Sequence, residues 1–289
     1  MGKFLKIAAC SAVMLAAACT TTTAETGTRA PAPAAATGVS PATIGGHPNI
    51  NGIWQTANEA KWDLEPQSAR TQPNRAAERA LGAQVAAPAS LGAVEGGAIP
   101  YTAEALAMRN EKRDSGLDPE KACYLPGIPR ATYMGYPFQI IQGGGDILIA
   151  YEYASANRVI QMGDIGIPPI DTWMGTSYGR WDGNTLVVTT LAQNGETWLD
   201  RAGNFVAPTT TVVERFTPNG PNHMEYTVTF DDPEIYTRPW TIKMPLYRRM
   251  EENAQLLEFK CVPFAEMYLY GDLYETLDEE AKQRLGIDN

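Results

Sequence analysis

Between residues 126 and 261 the chain is a succession of short alternating segments cut by turn residues, and this rhythm constrains the fold more than any other feature. Segments 138–142 and 146–153 are separated by Gly143-Gly144-Gly145, which reads as a hairpin. In the second segment Ile147, Ile149, Tyr151 and Tyr153 share one face, and Leu148, Ala150 and Glu152 share the other, because side chains alternate along a strand. Residues 158–162 return after a short connection. Residues 179–190 form the clearest hairpin, with a turn at Asp182-Gly183. Further strands are expected at 210–216, 224–230, 240–244 and 256–261, with a turn at 218–222. Eight or nine short strands without alternating helices predict a mainly β fold, an antiparallel barrel-like or strongly curved sheet with peripheral helices. A β-sandwich is the alternative.

Helical signals lie outside this region. Thr102 can cap a helix at 102–113 whose apolar anchors are Leu106 and Met108. Asp118-Pro119-Glu120 starts a short turn or helix leading into Cys123. Residues 72–84 carry a marginal helix signal, and 275–285 read as a charged helix anchored by Leu277 and Leu285.

The N-terminus reads as an export signal. Lys3 and Lys6 precede an apolar run at 7–18, too short to cross a bilayer core. Leu15-Ala16-Ala17-Ala18-Cys19 then resembles a lipoprotein processing site, with cleavage before Cys19 and acylation of its thiol. An ordinary signal peptide cut near Ala18 is the alternative. Acyl chains on Cys19 would anchor the protein to a bacterial membrane facing the periplasm, and Thr20 in place of Asp favours the outer membrane. Residues 19–48 are rich in Ala, Thr, Pro and Gly and read as a flexible tether. Residues 49–289 are then a single β-rich domain with N-terminal helical segments. Cys10 leaves with the leader and Cys19 takes lipid, so Cys123 and Cys261 remain to form a disulfide. Two separate buried thiols are the alternative.

Composition removes several function classes. A net charge of −10 disfavours nucleic acid as a partner. Two histidines exclude a three-histidine metal site. No metal constellation, phosphate loop or dinucleotide fingerprint is present, so no cofactor is implied. Gly175-Thr-Ser177-Tyr-Gly179 has the spacing of a nucleophile elbow, but a strand follows where the elbow needs a helix.

One resemblance bears on the domain. It is carried by Pro126-Gly-Ile-Pro-Arg130, Phe138-Gln-Ile-Ile-Gln142, Glu152, Arg158 and Asp164. Gly175-Thr-Ser-Tyr-Gly-Arg-Trp-Asp-Gly-Asn-Thr-Leu-Val-Val188, Val213-Glu-Arg-Phe216, Asp231-Asp-Pro233 and Arg238-Pro-Trp240 continue it. This text resembles a large family of exported bacterial proteins over about half the chain. The resemblance implies family and fold and carries no reaction. The chain departs from the pattern at Ile165-Gly166, where relatives have Gly-Arg, and at Val262-Pro-Phe-Ala265, where they often have His-Glu-Gly-Asn.

Two groups of side chains are candidates for a site. Glu152, Arg158 and Asp164, with Tyr151 nearby, could converge across a hairpin for acid–base work. Asp171, Trp173, Tyr178, Arg180 and Trp181 could hold a substrate, joined by Arg238 and Trp240. Glu214 and Arg215 are adjacent on a strand, so one of the two faces inward. Three functions follow. The first is a cofactor-free lyase, isomerase or hydrolase acting on a small, partly aromatic or apolar molecule. The second is a non-catalytic carrier of such a ligand, and the third is a structural or assembly protein of the envelope. The sequence sets no oligomeric state.

Overall fold

The computed structural model describes residues 42–71 and 86–262. The leader, Cys19, most of the tether, the 72–84 segment and the 275–285 segment lie outside the described residues. In chain order, β1 (Thr43–Ile44) and β2 (His47–Pro48) form a small hairpin, so part of the segment read as tether is paired. β3 (Gly52–Gln55) follows, and β4 (Arg70–Thr71) pairs with β5 (Ala86–Ala87). Helix α1 (Ala103–Ser115) and the short α2 (Arg130–Tyr133) precede the main run of strands. These are β6 (Phe138–Gln142), β7 (Ile147–Tyr151), β8 (Asn157–Met162), β9 (Thr176–Asp182) and β10 (Thr185–Leu191). β11 (Thr211–Pro218), β12 (His223–Asp231) and β13 (Trp240–Arg248) complete the set.

Nine of these strands close a barrel in the order β10-β11-β12-β13-β3-β6-β7-β8-β9, with β9 paired back to β10. The expected barrel-like, mainly β fold is therefore what the chain forms. The joints are antiparallel except one: β8 runs parallel to β9, with Ile160 beside Ser177 and Met162 beside Gly179. Parity requires this. Strand direction cannot alternate all the way around a closed ring of nine strands. A parallel joint needs a crossover connection, and the loop between β8 and β9 supplies it. Gly179 sits at the seam because a Cβ there would lie 2.5 Å from Ile160 Cγ2 and 2.7 Å from Met162 Sδ.

Period-two burial fills the interior. Val212, Glu214 and Phe216 point inward from β11, and Met224, Tyr226, Val228 and Phe230 from β12. Trp240, Ile242, Met244 and Leu246 point inward from β13. Phe230 and Trp240 stack across their strands with centroids 4.1 Å apart. Each such large apolar side chain contributes about 1.5–3 kcal/mol of burial free energy. β3 joins β13 through only two residue pairs, Tyr247 with Gln55 and Arg248 with Trp54. Arg248 strengthens that short seam by lying over the Trp54 ring at 4.3 Å.

Three local expectations change. The two residues of the β9–β10 turn are Gly183 and Asn184, since Asp182 still pairs with Thr185. Leu106 and Met108 are exposed, and α1 docks through buried Ala105. Residues 256–261 form no strand. They run back over the barrel wall, where Leu257 N–H donates to Glu152 and Phe259 packs on Tyr153 and Tyr136. Cys261 forms a disulfide with Cys123, with a Cα separation of 5.9 Å.

An ion pair between Arg158 on β8 and Glu214 on β11 lies in the barrel interior. Removing one partner of a buried pair leaves the other charge unmatched, at a cost of about 3–5 kcal/mol. Arg158→Met should lower the urea midpoint accordingly, and Arg158→Met with Glu214→Leu should recover most of the loss. A double variant no more stable than the single one would contradict this assignment.

Candidate functional site

The sequence placed Arg158 with Glu152 and Asp164, and the fold separates them. Arg158 is 4% exposed and points inward. Its guanidinium donates to both carboxylate oxygens of Glu214, to Ser177 Oγ at 2.8 Å and to Thr190 Oγ1 at 2.8 Å. Tyr226 donates its hydroxyl to Glu214 Oε1 at 2.7 Å. Glu152 lies on the outward-facing side with Leu148 and Ala150, and it holds the C-terminal tail. Asp164 is exposed in the β8–β9 crossover loop. Tyr151 does reach the interior, where burial pushes its phenol pKa up. Burial and the adjacent Glu214 raise Tyr226 further. Both phenols therefore stay protonated at neutral pH. The Glu, Arg and Tyr groups converge as acid–base chemistry would require, but Glu214 is 0% exposed and its acceptors are occupied by protein donors. The geometry makes this cluster a clamp between strands.

The second predicted group is also dispersed. Tyr178 is buried on the outer side beneath the crossover loop, where a Cβ on Gly166 would come within 3.2 Å of its hydroxyl. Arg180 is exposed on that side, and Trp181 stacks on His47 with centroids 4.7 Å apart. Asp171 is exposed in the loop, and Arg238 is exposed with a contact to the Pro239 carbonyl. Trp240 belongs to the core. Trp173 lines a cavity.

That cavity is a surface cleft of about 430 Å3. Leu117, Pro119, Ala122, Tyr124 and Trp173 supply most of its apolar lining, and Lys121 and Glu196 bring charge to it. Tyr124 and Trp173 stack at 4.8 Å with planes 7° apart. The cleft wall is built from Pro119–Ala122, a single 3-10 turn that Asp118 caps by accepting from Glu120 N–H at 3.0 Å. Cys123 ends the turn with φ of 63°, a left-handed conformation uncommon outside glycine. The disulfide then fixes Cys123 between two cleft residues, Ala122 and Tyr124.

A second buried charge network holds this turn in place. Arg130 is 2% exposed and makes a two-pronged contact with Asp118 at 2.8 and 2.7 Å and a further bond to Glu120 at 2.8 Å. Arg201 makes its own two-pronged contact with Glu120 at 2.9 and 2.7 Å and lies over the Trp62 ring. Bidentate pairs of this kind fix geometry as well as adding energy. Gln193 exchanges two hydrogen bonds with the backbone of Ile128, and Gly127 fits against Thr197, with φ of 71° and no room for a Cβ. The Pro126-Gly-Ile-Pro-Arg130 text is thus the mounting of the cleft.

Sequence reasoning missed Tyr124, Leu117, Lys121, Glu196 and the Arg130 network. Asp118-Pro119 was legible as a cap, and Arg130 as part of a motif. Nothing local showed that the capped turn lies beside Trp173. Among the described residues, no group of three His, Cys, Asp or Glu side chains is placed to hold a metal ion. Comparison with family models, with curated proteins and with solved structures gives no match.

Two carboxyls around the mounting titrate in opposite senses. Burial, then the nearby Asp63, raises Asp200 from 3.8 to about 7. Its contribution to stability is fully present below the unfolded value of 3.8 and is lost as pH rises through about 7. For Glu120, burial pushes the pKa up, but Arg130 and Arg201 prevail and hold it at about 2. Its contribution is present above 4.5 and is lost as pH falls through about 2. Asp200→Asn should flatten the decline in melting temperature between about pH 4 and 7, and Glu120→Gln should flatten the acid limb. Unchanged pH profiles in both variants would refute these assignments.

Proposed function

We propose that the protein is an exported, lipid-anchored binding module that holds a small, largely apolar or aromatic molecule in the cleft beside Tyr124 and Trp173. The observation that carries this reading is a stacked aromatic pair lining a cleft of about 430 Å3, beside a turn mounted by bidentate ion pairs. Ligand sites in proteins are largely apolar, with a few fixed polar groups and a pre-formed shape. Mounting the wall rigidly reduces the ordering cost of binding. Carriage without turnover is favoured over a lyase, isomerase or hydrolase because the convergent Glu214, Arg158 and Tyr226 are sealed in the barrel, away from the cleft lining.

The anchor in this proposal is Cys19 with its acyl chains, and the location is a bacterial membrane facing the periplasm, with the outer membrane favoured. The leader text supports export, and the Cys123–Cys261 bond fits an oxidising compartment. Kinship with the exported family that the sequence resembles belongs to the same proposal.

The test is a titration of the purified protein with a panel of aromatic and aliphatic small molecules, read by tryptophan fluorescence and by product analysis. The expected result is saturable binding to one site without turnover. Trp173→Ala and Tyr124→Ala should each weaken it about tenfold, or 1.4 kcal/mol. Binding indifferent to both substitutions would refute the cleft, and turnover would refute the carrier. In cells, incorporation of a labelled fatty acid should disappear with Cys19→Ala.

A further inference from the structure

The loop that makes the parallel crossover between β8 and β9 has a surface unlike the rest of the barrel wall. Ile165 is 58% exposed, Ile167 96% and Ile170 68%. Single exposed apolar residues are ordinary. Three isoleucines within six residues, one of them almost free of contact with the protein, form a projecting apolar surface that marks a contact site. The loop is held rather than loose: Gly163 N–H donates to the Gly179 carbonyl at 2.9 Å, Gly166 sits against the Tyr178 ring, and Pro168-Pro169 restrict the backbone between the isoleucines. The strands that lead to the loop carry outward-facing apolar residues of their own. Outward-facing Ile141, Leu148 and Val159 lie side by side in register on β6, β7 and β8, and Ile141 and Val159 are exposed.

We propose that this loop is a lipid-contacting surface that rests Ile165, Ile167 and Ile170 in the interfacial layer of a bilayer. The chemistry of the segment selects this partner. Residues 165–170 contain no hydrogen-bonding side chain, and the two prolines remove two backbone donors. Unsatisfied donors are what make a chain segment costly in hydrocarbon. A protein partner would be expected to meet hydrogen-bonding groups around its apolar centre, and the loop offers few. Asp164 and Asp171 bracket the apolar stretch and keep their carboxylates at headgroup level, which limits the depth of entry. With no Lys or Arg in the loop and a net charge of −10 on the chain, the surface suits zwitterionic lipid and is repelled by anionic lipid. The contact stands independently of the cleft ligand and of acylation at Cys19. It would also orient the barrel, because the loop occupies one sector of its wall.

The test places a photoreactive benzoylphenylalanine at position 167 of the full chain and, as a control, at position 223, the exposed first residue of β12. Each protein is mixed with phosphatidylcholine vesicles and irradiated, and adducts are identified by mass spectrometry. The expected result is a lipid adduct at position 167 at least about tenfold above that at 223. Ile165→Ser with Ile170→Ser should reduce it about tenfold without moving the melting temperature, since exposed positions carry little stability. Phosphatidylglycerol at low ionic strength should lower the yield. Equal lipid yields at the two positions would overturn the proposal. So would crosslinking in cells that gives a protein adduct at 167 and no lipid adduct.

Discussion

One buried ion pair, Arg158 with Glu214, constrains how the strands of the barrel line up. Arg158 comes from β8, on one side of the parallel joint, and it reaches Ser177 on β9, Thr190 on β10 and Glu214 on β11, while Tyr226 on β12 completes the carboxylate. The guanidinium therefore ties four consecutive strands of the ring, and Glu214 extends the link to a fifth, across the joint where strand direction fails to alternate. Polar groups buried in this way specify a unique arrangement when every member is matched. A pair of this kind is weak evidence for net stability, since apolar replacements of similar volume can do as well. Here it selects a register. Slipping β8 by one residue would carry Arg158 to the outside and Val159 to the interior.

The second buried network repeats this logic at the periphery with a different outcome. Arg130 and Arg201 surround Glu120 and Asp118 without closing the space next to them. The charges are spent on holding a one-turn helix, and the apolar residues of that turn are left facing a cleft. The interior network seals its polar groups from solvent, and the peripheral one presents a shaped surface to it. This division is why the binding reading attaches to Tyr124 and Trp173 and not to the residues with the most reactive chemistry.

The fold was legible because a period of two is a local property. β6 coincides with the expected segment, and β7 through β13 lie within a few residues of theirs. The site was not legible to the same degree, because partnership across a closed ring is not local. Glu214 was recognisable as one of two residues that could face inward, but its partner sits 56 positions earlier on a strand that is not its neighbour. Glu152 was six residues from Arg158, and proximity in sequence favoured the wrong pairing. It shares a face with Leu148 and Ala150, and that face turned out to be the outer one. Tail residues 256–261 carried a strand-like pattern, and side-chain docking on Tyr136 and Tyr153 replaced backbone pairing there.

The disulfide and the β3–β13 seam share a property that gives the molecule a direction in time. The bond spans 138 positions, and the seam joins residues near 54 to residues near 248. Neither can form until almost the whole domain has been synthesised. Strand hairpins between β6 and β13 can pair as they emerge, because each needs only its neighbour. The cleft cannot, since Cys123, between the lining residues Ala122 and Tyr124, is fixed by a cysteine from the far end of the domain. A site in the cleft would therefore be complete only once the ring has closed and the cysteines have been oxidised.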